Sequence, residues 1–352
     1  IKMSKSKLTL LVDGNWLLMS RLSVIQNRYL DDYELCHDLK LMMIRSMNIV
    51  LKQFPSIDNI IFCADGGSWR NKIEVPKFLQ EEGVEYKGTR VRSEDFNWEL
   101  LFSSYDDFVA TLNNCGITAC REIGVEGDDW CYHWSTLLNS QGTNCIIWTK
   151  DKDLTQLVKM DKDKCFTVWW NKDSGMIAPD TSDDDMDFLF NNEFNTNESI
   201  FNDICNKSKS VEKVNSNEII INKILKGDLS DNIIPLAMRT SKSKDSDKKF
   251  RISTKDINYN LNINDDNEVK EYFRNLLESK SYKGRVIQTF DEIIEHFNYN
   301  KRLIKLERNS YPDSINEIFD MYKTYNISKD ISKAEQQITM QSNKLQGVLD
   351  II

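Results

Sequence analysis

Ile146-Ile-Trp-Thr-Lys-Asp151-Lys-Asp153 is an apolar run that breaks into two acids, and its reading decides the fold. Residues 8–12 run into Asp13, and residues 60–64 into Asp65, in the same way. A short apolar run bounded by polar residues marks a strand buried on both faces, as in a parallel sheet. Open α/β sheets place their sites beyond the carboxyl ends of such strands, which is where these acids stand. Two further acidic stretches, Glu126-Gly-Asp-Asp129 and Gly227-Asp-Leu-Ser-Asp231-Asn232, bring the set to nine carboxylates.

Outward from these runs, strand-like and helix-like periods alternate over residues 8–170. Strands are expected at 8–12, 60–64, 117–123, 145–149 and 165–170, and helices at about 33–53, 95–113 and 128–139. That alternation predicts an α/β fold: a mostly parallel sheet flanked by helices. Leu35, Leu39, Met42, Met43, Ser46, Ile49 and Val50, for example, form one stripe at helical spacing. The pattern stops between Gly66 and Arg92, where Trp69, Arg70, Lys72, Lys77, Tyr86, Lys87 and Arg90 mix bases with aromatics. A connection this long without an apolar stripe is usually functional, and bases among aromatics suit a single nucleic-acid strand, held by charge and stacking. Residues 171–216 are rich in Asn and Asp and read as an acidic insertion or loop. Beyond residue 219 a smaller helical region follows, with Val269, Tyr272, Phe273, Leu276 and Leu277 on one face and Val286, Ile287, Phe290, Ile293, Ile294 and Phe297 on another.

Composition narrows the function. In 352 residues no apolar run is long enough to cross a membrane, and residues 1–7 hold no signal-peptide core, so a cytoplasmic protein without a membrane partner is expected. Eight cysteines without a CxxC pair point to reduced thiols rather than zinc. Three scattered histidines speak against a His-dependent nucleophile. The net charge of -9 hides segregation: residues 180–203 carry eight acids and no base, residues 239–255 seven bases and two acids.

Spacing can gather the acids. Asp151 and Asp153, two apart on extended chain, point to one side, and Asp228 and Asp231 share a face if their segment is a helical turn. Asp128 and Asp129 fall in the first turn of a helix that buries Trp130 and Trp134, where the helix dipole favours negative charge. Two like charges at about 4 Å repel by roughly 4 kcal/mol at an effective dielectric of 20, so gathered carboxylates call for a cation. Oxygen-only donors suit two Mg²⁺ ions, with Mn²⁺ able to substitute, and the chemistry such a pair supports is hydrolysis of a phosphodiester.

In this order, Leu11-Val-Asp13-Gly, Ala64-Asp65 with Ser68-Trp-Arg70, Glu85-Tyr-Lys-Gly-Thr-Arg90, Glu126-Gly-Asp-Asp129, Thr149-Lys-Asp-Lys-Asp153-Leu-Thr-Gln-Leu157 and Leu225-Lys-Gly-Asp-Leu-Ser-Asp-Asn232 resemble the 5′ nuclease, or flap endonuclease, family with its PIN-like fold. The resemblance covers roughly residues 8–236 and is strongest to bacteriophage members with ribonuclease H activity. It implies a 5′-to-3′ exonuclease or flap endonuclease that removes RNA primers in DNA replication and acts in repair. Its domains would be a nuclease core at 8–170 with a helical arch at about 66–92, a helical DNA-binding region at 217–330 and a tail at 331–352. It assigns Asp13, Asp65, Glu126, Asp128 and Asp151 to a first metal ion, and Asp153, Asp228 and Asp231 to a second, partly through waters; Asp129 matches a further acid. Tyr86, Lys87 and Arg90 would stand at the base of the arch, with Lys87 and Arg90 neutralising the scissile phosphate. Trp69, Arg70 and Lys77, with Arg239, Lys242, Lys244, Lys248 and Lys249 of the basic run, complete the nucleic-acid-binding set. Implied partners are DNA with a 5′ flap, nick or gap, RNA–DNA hybrid and a single-strand-binding protein, with the chain a monomer.

One departure stands out: many members continue from the last motif into a glycine-rich hairpin that grips duplex phosphates, whereas here Ile233-Ile-Pro235 leads into the basic run. Phosphate binding by that run would be salt-dependent and indifferent to sequence. Two other readings compete. Asp151 and Asp153 after a strand also resemble the aspartate-nucleophile phosphatases of the haloacid dehalogenase superfamily, a reading that leaves Asp13, Asp65, Glu126 and Asp128 unused. A non-catalytic nucleic-acid-binding module is the third. The tail Lys344-Leu-Gln-Gly-Val-Leu-Asp-Ile-Ile352 resembles a sliding-clamp-binding peptide that lacks the usual aromatic pair.

Overall fold

The computed structural model describes residues 7–28, 31–81, 83–89, 96–160, 165–180, 196–240 and 249–323. The chain forms two compact units, Ile1–Ser68 with Ser93–Val214 and Asp313–Ile352, and Trp69–Arg92 with Asn215–Pro312. Strands β1 (Lys7–Asp13), β2 (Asn59–Cys63), β3 (Thr118–Cys120), β4 (Thr143–Trp148), β5 (Lys159–Met160), β6 (Phe166–Asn171), β7 (Gly175–Pro179) and β8 (Val211–Val214) belong to the first, β9 (Arg239–Thr240) and β10 (Lys249–Phe250) to the second. The helices in chain order are α1 (Gly14–Ile25), α2 (Asp32–Gln53), α3 (Lys77–Gln80), α4 (Trp98–Asn114), α5 (Gly127–Ser140), α6 (Thr196–Lys207), α7 (Ser216–Lys226), α8 (Asp266–Glu278), α9 (Phe290–Ile304) and α10 (Asp313–Tyr322).

In the first unit the sheet order is β3-β2-β1-β4-β6-β7-β8. The first five strands run parallel, which makes this the α/β fold expected from the alternating periods. β1 is central, with Leu11 opposite Ile61 of β2 on one side and Ile147 of β4 on the other. The order reverses at β1 and β4, so the crevice at their carboxyl ends is the topological switch point where such sheets bind ligands. Leu8, Leu10 and Val12 pack with Leu39, Met43 and Met47 of α2 and with Phe108 and Leu112 of α4. Each such side chain contributes about 1.5–3 kcal/mol on burial, which fixes the register of β1 and with it the position of Asp13.

Three expectations are corrected here. Residues 171–216 are no plain loop: β7 pairs antiparallel with β6, and β8 pairs parallel with β7. β8 is an exposed edge strand, Val-Glu-Lys-Val, whose polarity hides its pairing. α10 belongs to the first unit rather than to the helical region, because Phe319 stacks on His133 at 4.7 Å and packs edge-on to Trp130 at 5.4 Å. Val286 and Ile287 precede α9, which begins at Phe290 because Thr289 and Glu292 form a capping box. Among the described residues no helix is long and apolar enough to cross a membrane.

The second unit has its own core, in which Ile224 and Leu225 of α7, Phe273 of α8 and Ile293 and Phe297 of α9 are buried together. Fully buried Asn300 donates to the carbonyls of Ile224 and Ile234, at 3.0 and 2.9 Å, and ties α9 to α7 and the chain beyond it.

Candidate metal centre

Asp13 is the last residue of β1 and the N-cap of α1, with its Oδ1 accepting the Trp16 N–H at 2.9 Å and its Oδ2 the Thr149 hydroxyl at 2.6 Å. Only 5 % of the residue is exposed. Burial pushes its carboxyl up to about 6; the Thr149 and Trp16 hydrogen bonds oppose the rise and the nearby Asp151 charge adds to it. Thr149 is fully buried and joins the two acids, since its Oγ1 also accepts the Asp151 N–H at 2.9 Å.

Asp151 itself is exposed and caps a 3₁₀ helix, Lys152–Leu157, through the Asp153 N–H at 2.8 Å. The extended geometry expected for Asp151 and Asp153 is therefore corrected: a capping acid turns the chain at once, and the two residues do not alternate along a strand. Asp65 follows β2. Its Oδ1 accepts the Gly127 N–H at 2.5 Å, its Oδ2 the Asn15 amide, and its carbonyl the Arg121 guanidinium at 2.8 Å.

The third acidic stretch starts α5. Glu126 is its N-cap and is 6 % exposed, and Asp128 lies half-buried in the first turn. Asp13 and Asp128 both press on Cys131, whose buried thiol is driven up first by its hydrogen bond with Cys63 and by burial, then by these charges. Asp129 departs from its expected role as a metal ligand. It is fully buried and its Oδ2 accepts the Glu126 N–H at 3.1 Å, a capping-box use of the carboxylate.

Carboxylates from β1, β2, β4 and α5 thus line one end of the sheet, and those of Asp13, Asp65, Glu126 and Asp151 are held by local donors. Among the described residues no group of three or more acidic, thiol or imidazole side chains is closed into a metal cage. The donor set nevertheless fits a hard divalent cation: it is all oxygen, and Asp13 is a buried acid beside another acid, a charge that a cation would offset. Sequence reasoning gave no role to Thr149, Asn15, Tyr105 and Arg121. Tyr105, on α4, is buried, with its phenol pushed well up by burial and then by the Asp65 and Asp13 charges. A signal was present for Thr149, quoted within its motif, and for Asn15, two residues after Asp13; Tyr105 reads as one more core residue of an amphipathic helix.

The remaining candidates lie in the second unit. Asp228 and Ile233 close a turn with reciprocal backbone hydrogen bonds of 2.9 and 2.7 Å, so the expected helical turn is corrected. Gly227 at φ 67° and Asn232 at φ 57° carry the left-handed steps that this turn requires. Asp228 accepts Lys223 Nζ at 2.8 Å and the Ser230 hydroxyl at 2.6 Å; partial burial alone would raise its carboxyl, but these bonds outweigh it and hold it at about 2. The Asp231 carbonyl accepts the Lys87 N–H at 2.9 Å, and its carboxylate the Tyr86 hydroxyl at 3.4 Å. Lys87 sits at φ 55° with its ammonium 4.9 Å from the centre of the Tyr86 ring.

Trp69 and Arg70, expected to touch nucleic acid, are buried at 4 % and 3 % exposure. Arg70 Nε donates to the Leu303 carbonyl at 2.8 Å with its guanidinium over the Trp69 ring, so the pair anchors the segment. Lys77 and Lys249 are exposed, while the Arg239 guanidinium lies over the Tyr282 ring at 4.7 Å. Arg90, Lys242, Lys244, Lys248 and the tail lie outside the described residues.

No protein-family model and no curated protein matches the chain. Solved structures do. A T5 5′-exonuclease with divalent zinc bound aligns over 96 % of this chain and 100 % of its own, at a TM-score of 0.52 and 16 % identity. A T5 protein co-crystallised with metal ions aligns over 96 % and 99 %, at 0.50 and 14 %. The two folds are the same: a mostly parallel, PIN-like α/β sheet flanked by helices.

Proposed function

We propose that this chain, which shares the fold of the T5 5′-exonuclease, is a metal-dependent 5′ nuclease. It hydrolyses phosphodiester bonds of DNA and of RNA primers at 5′ ends or flaps, as in primer removal during replication and in repair. The observation that carries the reading is that Asp13, Asp65, Glu126, Asp128 and Asp151 end or cap elements on the carboxyl side of one parallel sheet, with Asp13 buried beside the Asp151 charge. These five would hold Mg²⁺, with Asp153 toward a second ion. Bound divalent ions supply Lewis-acid activation of a water and stabilise the charge that develops on the phosphate.

The chain's own residues do the positioning. Thr149 fixes Asp13 and the Asp151 backbone together, so the ends of β1 and β4 present their acids as one element. The Glu126–Asp129 capping box holds Asp128 in the first turn of α5. Lys87, on a left-handed turn held by Asp231, offers its ammonium to a phosphate of the strand, and the exposed lysines 77 and 249 add sequence-independent contacts.

The test is cleavage of a 5′-labelled flap, a blunt duplex and an RNA-primed duplex in Mg²⁺, in Mn²⁺ and in EDTA. Metal-dependent 5′ products support the reading and rank the substrates. Tight binding without cleavage would support the non-catalytic module instead.

A further inference from the structure

We infer that Asn15 and Tyr105 are a buried positioning pair that sets the Asp65 carboxylate for a divalent cation. The inference rests on the metal-dependent reading above and assigns two residues that none of the acidic motifs contains. Both Asp65 oxygens are engaged, Oδ1 by the Gly127 N–H and Oδ2 by the Asn15 amide nitrogen. That donation fixes which way the Asn15 amide faces and leaves its Oδ1 as an acceptor.

Asn15 Oδ1 is buried and has no protein partner among the described residues, and the same holds for the Tyr105 hydroxyl. A tyrosine phenol carries an O–H donor. The hydroxyl lies against Gly14, the residue before Asn15, so closely that a Cβ at Gly14 would collide with it. One acceptor and one donor, each costly to leave unsatisfied, therefore adjoin the same stretch of backbone beside Asp65. Tyr105 completes the Asn15 amide through one water, and the amide in turn holds Asp65. This fits a glycine at position 14, where a Cβ would collide with both the phenol and the Phe62 ring.

The experiment is Mn²⁺ binding to the full chain by electron paramagnetic resonance, without nucleic acid, for the parent, Asn15→Ala and the isosteric Tyr105→Phe. Single-turnover cleavage and KM for a 5′-flap DNA are measured beside it. Loss of a partner that orients a ligand weakens metal affinity by about 10–100-fold, so Asn15→Ala should fall in that range and Tyr105→Phe at its low end. The cleavage rate should fall in step, with KM for DNA unchanged, a split that a general loss of packing does not produce. Should Asn15→Ala fail to fold, Tyr105→Phe decides alone. Mn²⁺ affinity within about twofold of the parent in a folded Tyr105→Phe chain overturns the pair and leaves the nuclease reading standing. A parent that binds no Mn²⁺ overturns the metal reading and the pair with it.

Discussion

Lowering the pH from 7 to 4 should destabilise the second unit through one residue, His296. It is fully buried on α9, and burial lowers its imidazole to about 4, against an opposing contribution from the Ile234 carbonyl. The hydrogen-bond order explains why a proton is unwelcome. The Ala237 N–H donates to Gln288 Oε1 at 3.0 Å, which turns the Gln288 amide nitrogen toward His296 Nδ1 at 2.9 Å. Nδ1 must then be an acceptor, and protonating it sets one N–H against another. The folded-state value lies below the ordinary 6.5. The unfolded chain therefore takes up the proton first, and stability present above pH 6.5 is lost as pH falls through 4. At 1.36 kcal/mol for each pKa step the loss from this group is about 2 kcal/mol at pH 5 and about 3 kcal/mol at pH 4. Hydrogen exchange across residues 290–304, followed by mass spectrometry at pH 7, 5 and 4, reads it directly, with His296→Gln as the non-titrating control. The variant should start lower at pH 7 and lose the extra slope between 6.5 and 4. An identical slope in parent and variant would refute the reasoning.

Thr149→Val keeps the shape but removes the hydroxyl that joins Asp13 to the Asp151 amide; single-turnover cleavage should drop about 10–100-fold. Gly227→Ala places a Cβ against the backbone of Ile233, Ile234 and Pro235 at a positive φ, and urea unfolding should show a loss of about 3 kcal/mol or more. Asp228, held at about 2 by Lys223 and Ser230, contributes stability above its ordinary pKa that is lost as pH falls toward 2. Lys223→Met should raise that carboxyl, visible by NMR titration, and cost about 1–2 kcal/mol at pH 7.

The acidic face of the sheet was legible because its strands are buried on both sides. The runs before Asp13, Asp65 and Asp151 are mostly apolar, and a parallel sheet puts their carboxyl ends together whatever the helices do. Pairing at the sheet edge was not legible, because β8 is polar and exposed and gains its strand character only from β7. Trp69 and Arg70 read as surface contacts because the carbonyl that Arg70 serves, Leu303, is 233 positions away and belongs to a core assembled from separated segments. Asn15 and Tyr105 escaped for a related reason. Their significance lies in which polar atoms meet beside Asp65, and neither periodicity nor charge spacing carries that information. Local hydrogen bonding overrode simple spacing at Asp151, Asp153, Asp228 and Asp231, where capping and tight turns set the backbone.

The most direct test of the account is single-turnover cleavage of a 5′-labelled flap in Mg²⁺ by the parent and by Asp151→Asn, an exposed position whose exchange leaves the core intact. The account predicts metal-dependent 5′ products from the parent and a rate lower by about 10²-fold or more in the variant. Equal rates in the two proteins, or products that persist in EDTA, would contradict it.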